Sequence, residues 1–365
     1  MKVMHLSDLH IGKYIFERSL ICDQEYILNE IIEIVKKENV KVIMISGDVY
    51  DKQIPSTQAV ELLNDFLTKL IKLEKNVLII PGNHDSDSRL SFGNEIFSNN
   101  GLIIENSFNG TLKKITIEDV NFFMLPFVKP LGVRKFFENC ESYHDAIRLI
   151  IENSNINYKE KNILMTHQFY TYNGNSPELS ESELNLGGID NIDIGILENF
   201  DYVAMGHIHR PQKLYKDTFR YSGSILKYSF QESNFNKSVP IIDTVDFTYK
   251  LIELKPLRDM VNIKGNLNEL LENTCDDYVR VILTDENELI DPVSKLRRVY
   301  PNLLRLEFSN KRYNYNNEVI ETSSIEKKTP LNLFEEFYLS QNNVSLDDDL
   351  RAIFNECMEE SYETN

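Results

Sequence analysis

The sequence predicts an α/β fold, a β-sandwich flanked by helices. Two observations carry this. Residues 1–255 alternate apolar runs of strand length with helical periodicity. Five of those runs end on a short polar string rich in Asp, Asn and His. Alternation of this kind implies sheets covered by helices.

The strand-length runs are Val3-Met4, Val42 to Ile45, Val77 to Ile80, Ile163 to Met165 and Tyr202 to Met205. Between the first three, Ile27, Ile31, Ile34 and Val35 keep the i, i+4, i+7, i+8 spacing of an amphipathic helix, and Val60, Leu63, Phe66, Leu67 and Leu70 form a similar stripe. Leu112 to Ile117, Asn121 to Leu125 and the stretch from Tyr221 to Leu254 read as further strands. Lys255-Pro256 marks a break. Residues 256–310 hold one helical stretch (Leu267 to Leu271) and two strand-like runs (Tyr278 to Leu283 and Leu303 to Phe308), which predicts a small α+β domain. Residues 311–329 are polar and aperiodic, hence a linker. Residues 330–365 predict a helical pair. Pro330 suits a first turn, and Leu331, Phe334, Phe337 and Tyr338 form one stripe. Ser345 with Asp348 resembles a capping box before the stripe Leu350, Ile353, Phe354 and Cys357. Two short helices bury little alone, so these apolar residues read best as docking positions for a partner's helices; the core of one helical hairpin is the alternative.

Composition sets limits. Of 365 residues, 42% are apolar and 26% charged, which excludes wholesale disorder. No apolar run reaches the length of a membrane span. The start, MKVMHLSDLH, meets Asp8 too early for a signal-peptide core. The four cysteines, Cys22, Cys140, Cys275 and Cys357, form no CxxC pair, which argues against a disulfide framework and fits a reducing cytoplasm. A net charge of −18 speaks against a phosphate partner at first sight. Residues 331–365, however, carry nine acids and one base, and bound cations would reverse the field of any carboxylate-lined site.

The chemistry lies in five strings: Asp8-Leu9-His10, Gly47-Asp48-Val49-Tyr50-Asp51, Gly82-Asn83-His84-Asp85, Thr166-His167 and Gly206-His207-Ile208-His209. Ligands of open α/β sheets bind beyond the carboxyl ends of strands, so five such ends converge their side chains on one site. Five of the seven histidines fall in these strings. Carboxylate, amide oxygen and imidazole suit a pair of manganese, iron or zinc ions. Two ions need one shared carboxylate and separate ligands for each. Asp48 is the candidate bridge. Asp8, His10 and His209 would complete one ion; Asn83, His167 and His207 the other. His84 remains as a general acid for the leaving oxygen, with Asp85 placed to hold its ring. Asp-x-His or Thr-His alone would be ordinary polarity. Gly-Asn-His-Asp is specific, since a given four-residue string arises by chance at on the order of one in 10⁵ positions.

These strings resemble the D-x-H, G-D-x-x-D, G-N-H-D/E, H and G-H-x-H pattern of the calcineurin-like metallophosphoesterase superfamily, over roughly residues 1–225. His5 to Lys13, Gly47 to Asp51 and Gly82 to Ser86 further resemble the SbcD exonuclease-subunit family of bacteria. Lys255-Pro256-Leu257-Arg258-Asp259 looks like that family's entry into its capping domain, and Pro330 to Phe337 like the start of its partner-binding helices. The resemblance implies a metallophosphoesterase nuclease domain over 1–255, a DNA-binding capping domain over 256–310 and partner-binding helices over 330–365. It implies a manganese-dependent nuclease of DNA repair and recombination, cutting duplex ends 3′→5′ and nicking single strands or hairpins. It implies an SMC-type ATPase partner, SbcC, a homodimer inside a heterotetramer, and a cytoplasmic, nucleoid-associated location without a membrane. It also implies that Asp8, His10, Asp48, Asn83, His167, His207 and His209 bind metal and that His84 acts in catalysis. The chain has no G-x-x-x-x-G-K-[ST], so any ATP dependence must come from a partner.

Other residues are less specific. His5 reads as a core or supporting histidine and His144 as a surface one. Lys13, Arg18, Arg89, Arg210 and Lys213 follow the motifs and are candidate phosphate contacts; solvated loop charges are the alternative. Tyr14 and Phe16 are candidates to stack on an unpaired base, or simply to pack a loop. Leu331, Phe334, Phe337, Leu350, Ile353 and Phe354 are the candidate partner contacts. A nucleotide phosphodiesterase or phosphatase with the same centre is the competing enzyme; a DNA-end scaffold that does not cut is the competing non-enzyme.

Overall fold

The computed structural model describes residues 1–180, 190–287 and 289–309, with Leu331, Phe334, Glu335, Tyr338, Leu339, Leu350 and Arg351. Met1–Glu307 forms one compact unit and Phe308–Asn365 a second. The first unit is built on two six-stranded sheets. One contains β1 (Lys2–Leu6), β2 (Val42–Ser46), β3 (Asn76–Ile80) and β4 (Leu102–Ile104). The other contains β5 (Lys113–Ile117), β6 (Val120–Leu125), β7 (Lys161–His167), β8 (Tyr202–Gly206), β9 (Gln212–Leu214) and β10 (Lys216–Tyr221). The chain then returns to the first sheet as β11 (Ser238–Asp243) and β12 (Tyr249–Glu253). The orders are β12-β11-β1-β2-β3-β4 and β9-β10-β8-β7-β6-β5.

Each sheet has four neighbouring parallel strands, β1-β2-β3-β4 and β10-β8-β7-β6. Antiparallel strands close both edges of the second sheet and one edge of the first, whose other edge is the parallel β4. Parallel strands are buried on both faces, which is why VIMI and VLII read as unbroken apolar runs. Val3, Met44, Leu78 and Ile80 of one sheet pack with Phe122, Met124, Met165 and Tyr202 of the other between the layers. α1 (Ile21–Lys37) and α2 (Thr57–Lys72) cover the first sheet's outer face through Ile27, Ile31, Leu63, Phe66 and Leu70. α3 (Tyr143–Glu152) covers the second through Ala146, Ile147 and Ile150, and starts on a Ser142–Asp145 capping box. One stripe residue is corrected. Val60 is exposed, because Ala59 takes the buried slot in line with Leu63, Phe66 and Leu70.

A third sheet, β13 (Met260–Gly265), β14 (Tyr278–Leu283) and β15 (Leu303–Phe308), is paired in that order, with α4 (Pro292–Val299) preceding its last strand. A polar latch ties it to α1. Arg258 binds the buried Asp23 carboxylate with two bonds of 2.9 and 2.7 Å, and the Tyr278 hydroxyl donates to the same carboxylate at 2.8 Å. In the second unit Leu331, Phe334, Tyr338 and Leu350 are helical, and Arg351 pairs with Glu335 at 2.7 Å. Phe337, Ile353, Phe354 and the predicted linker lie outside the described residues. No helix among the described residues is long and apolar enough to cross a membrane.

Candidate metal centre

β1, β2 and β3 of one sheet and β7 and β8 of the other deliver the five polar strings to one end of the sandwich. The backbone keeps pairing past the strand ends: Asp8 N–H donates to Gly47 O, His10 N–H to Asp48 O and Ile11 N–H to Val49 O, at 2.9–3.0 Å. Asp8, His10, Asp48 and His207 all hold left-handed φ, at 52°, 44°, 49° and 98°. Such conformations cost about 1–3 kcal/mol each and gather where the surrounding structure forces a geometry. Gly206 marks the seam. A Cβ there would strike Ser46 O, so only glycine lets β8 approach β2 this closely.

The donors form two groups that meet at Asp48. His10 Nε2 and His209 Nε2 lie 3.1 Å apart, and both residues group with Asp8. On the other side Asn83 Oδ1 lies 3.1 Å from His167 Nε2 and 3.0 Å from His207 Nδ1. Asp48 Oδ2 stands between the groups, 3.6 Å from His10 Nε2 and 3.4 Å from His167 Nε2. Ligands about 2.1 Å from a common ion and roughly a right angle apart are separated by about 3 Å. The donor set therefore fits two divalent ions sharing Asp48. Asp8, His10, Asp48, His167 and His209 are buried, and Asn83 is half-buried.

The electrostatics suit this. Burial pushes His10 down to about 4 and His207 to about 3, so both imidazoles are neutral and keep a lone pair at neutral pH. Burial lowers His209 as well. His167 goes the other way: against burial, the Asp48 and Asp8 carboxylates raise it to about 9. Asp48, despite burial, is held well below the usual carboxylate range by His167. A proton shared in this manner is what a cation would replace. His167 Nδ1–H donates to Ser46 O at 2.8 Å, which turns Nε2 toward Asp48 and Asn83.

His84 is exposed, 5.0 Å ring to ring from His10. Its Nδ1–H donates to Asp51 O at 3.1 Å, leaving Nε2 for proton exchange. Here the expectation for Asp85 is corrected. Its buried carboxylate does not hold the His84 ring. It accepts the N–H groups of Val49, Tyr50 and Gly82 at 2.9–3.0 Å and ties two strand-end turns together. Burial and the Asp48 charge push it up to about 6, against those three donors.

Sequence reasoning missed several supports. Asp51, inside a quoted string, faces His10 Nδ1 at 3.5 Å and binds Lys13 at 2.7 Å. Gln24 of α1 donates to His10 O at 2.7 Å and accepts from Gly12 N–H at 2.9 Å. Glu232 and Lys237 form a buried pair behind His209. Only the Asp51 spacing gave a local signal; the others partner residues distant in sequence. His5 shares a hydrogen bond with Tyr202 inside the sandwich, and His144 accepts from Asp193 N–H. The five candidate phosphate contacts do not form a free basic cluster. Lys13 binds Asp51, Arg210 binds Glu178, Lys213 binds Asp217 at 2.6 Å and Arg18 donates to Pro301 O. Arg89 is exposed without an ion pair among the described residues.

A family profile described as calcineurin-like phosphoesterase matches residues 1–211, and one described as the type 5 capsule protein repressor C-terminal domain matches residues 256–342. A Staphylococcus epidermidis protein, named as the D subunit of the nuclease SbcCD, is 33% identical over 359 residues, 95% of either chain. Among solved structures, TT1561 of Thermus thermophilus and a dimetal phosphatase from Danio rerio each cover 70% of this chain and 99% of their own at 10% identity, with TM-scores of 0.42 and 0.37. The chain belongs to the calcineurin-like phosphoesterase family, in its SbcD branch.

Proposed function

We propose that this chain is the nuclease subunit of an SbcCD-type complex, a hydrolase that cuts DNA phosphodiester bonds with two divalent ions, manganese being the expected pair. The observation that carries the two-ion reading is Asp48 Oδ2, 3.6 Å from one imidazole and 3.4 Å from another. Similarity over 95% of both chains to a protein named as a nuclease subunit supports DNA as the substrate.

Asp8, His10 and His209 would hold one ion, Asn83, His167 and His207 the other, and Asp48 both. Bound there, the pair supplies Lewis acidity toward a phosphate oxygen and acidifies a water. The chain's own part is orientation and proton transfer. Ser46 O fixes the His167 ring, and Asp51 O fixes the His84 ring. His84 Nε2 delivers a proton to the departing 3′ oxygen. Asp85 acts through the turns it ties rather than on the substrate.

Finer features belong to the same reading: 3′→5′ cutting of duplex ends, endonuclease action on single strands and hairpins, and an SbcC-like SMC-type ATPase docked on the helices around Leu331 and Leu350. Exposed Val60 on α2 lines one cavity with Phe92 and Phe97, and this apolar face is the one offered for a homodimer. The expected location is the cytoplasm. For the duplex itself, α4 is the better basic surface. Lys295, Arg297 and Arg298 are exposed there and have no ion pair among the described residues. Replacing all three by Ala should reduce the salt slope of duplex binding by about 2.7, at ~0.9 per phosphate contact, and leave a small diester's hydrolysis unchanged. An unaltered slope would remove α4 from the DNA path.

The deciding experiment is a manganese-dependent assay on end-labelled duplex and hairpin DNA, wild type beside His84→Ala, with a small chromogenic phosphodiester in parallel. Shortening of the duplex that His84→Ala slows by about 10²-fold is the expected result. Hydrolysis of the small ester with DNA untouched, even with the ATPase partner present, would replace this reading by a nucleotide phosphodiesterase.

A further inference from the structure

We infer that the buried Glu232–Lys237 pair is a positioning device for His209, setting how tightly the Asp8–His10–His209 half of the centre holds its cation. The inference rests on the two-cation reading. Glu232 lies in a single turn of 3₁₀ helix, Phe230–Asn234, and is fully buried; Lys237 is 4% exposed. Their charged groups meet at 2.5 Å.

Lys237 holds the main chain of His209, and Glu232 faces its ring. Lys237 Nζ donates to His209 O and to Ser224 Oγ, both at 2.7 Å. Ser224 N–H donates to the same carbonyl at 3.1 Å. Gly223, at φ 79°, makes that approach possible, since a Cβ there would fall 2.6 Å from His209 O. These bonds fix the main chain of His209. Glu232 Oε1 then faces His209 Nδ1 at 3.9 Å, while Nε2 on the opposite side of the ring faces His10 at 3.1 Å. The Tyr228 ring sits edge-on against both histidines and its hydroxyl donates to Leu9 O at 2.5 Å, which closes the remaining side.

Packing alone would not call for this arrangement. A buried ion pair carries a desolvation cost that apolar side chains of similar size avoid. Its placement against the far nitrogen of a candidate ligand has a different logic. A carboxylate behind an imidazole keeps the proton on the far nitrogen, leaves the near one as the donor and raises its basicity. Lys237 neutralises the carboxylate and anchors the ligand's own carbonyl.

The test is calorimetric titration of manganese chloride into the metal-free full-length chain, with thermal unfolding of the same samples. Wild type should bind two equivalents. Glu232→Gln should weaken one class by about 10–100-fold and leave the other within about twofold. Because Glu232→Gln leaves a buried lysine unpaired and can unfold the protein, the double change Glu232→Leu with Lys237→Met is the second variant. It should match or exceed wild type in thermal stability while keeping one weakened class. Wild-type affinity in either folded variant, or equal weakening of both classes, overturns the positioning role. A wild-type chain that binds no manganese fails earlier, at the two-cation reading itself.

Discussion

The two sheets bring different chemistry to the same edge. The ends of β1, β2 and β3 supply both carboxylates and the amide, Asp8, Asp48 and Asn83, with one imidazole, His10. The ends of β7 and β8 supply imidazoles alone, His167, His207 and His209. The first sheet carries the charge that attracts cations, and three of its four donors sit on left-handed backbone. The second supplies the remaining rings. Neither half alone provides two ion sites, so the centre forms only when the sandwich closes. The seam is specific: His167 donates to Ser46 O of the facing sheet, and Gly206 leaves room for the same carbonyl.

The largest effect that should follow from this division is at Asp48. Asp48→Asn keeps a side chain that tolerates φ of 49° and removes the shared charge. Manganese binding should fall at both sites, and nuclease activity by roughly 10³-fold or more, several kcal/mol of transition-state stabilisation. His207→Asn, on the second sheet, should lose only the ion next to Asn83. If titration showed that Asp48→Asn vacates one site and His207→Asn both, the bridging assignment would belong to another residue.

His84 tests the comparison from outside the ligand set. It stands on the first sheet's edge, outside both proposed ligand sets, although its ring groups with His10 and Asp51. His84→Ala should lower turnover by about 10²-fold, as expected for loss of a general acid, with manganese affinity unchanged. A full nuclease rate in this variant would leave the centre without its proposed proton donor.

A third variant acts on the seam itself. Gly206→Ala forces a methyl group against Ser46 O and should cost about 1–3 kcal/mol of stability, read as a lower Tm, with weaker manganese binding at the His167 side. This crowding is invisible in the sequence, where Gly206 is only the first letter of a motif. That contrast marks what is legible. The strands, the outer helices and the convergence of the eight motif residues on one end of the sandwich can be read because the polar strings sit at strand ends and apolar periodicity is local. The role of Asp85 cannot, because its partners are N–H groups of another turn, and backbone donors leave no trace in residue identity. Arg210 and Lys213 look free in the sequence because Glu178 and Asp217 come alongside only in the folded chain. Glu232 and Lys237 carry no local signal because their meaning lies in His209, which reaches them through the fold.

The smallest effect is a pH signature in the chelator-treated protein. His167 is raised to about 9 from 6.5, so its contribution is complete below pH 6.5 and is lost as pH climbs toward 9. His5, His10 and His207 are lowered to about 3, 4 and 3, chiefly by burial. Below pH 6.5 the unfolded chain takes up their protons first, so stability is lost as pH falls toward 4. Asp85, at about 6, works in the opposite sense between 3.8 and 6, one proton against three. Metal-free Tm should therefore peak near pH 6.5. Saturating manganese should flatten the alkaline limb, because a cation displaces the His167 proton and binds more tightly as pH rises. An alkaline limb that persists unchanged in His167→Asn would show that the second sheet's strongly basic imidazole is not its source.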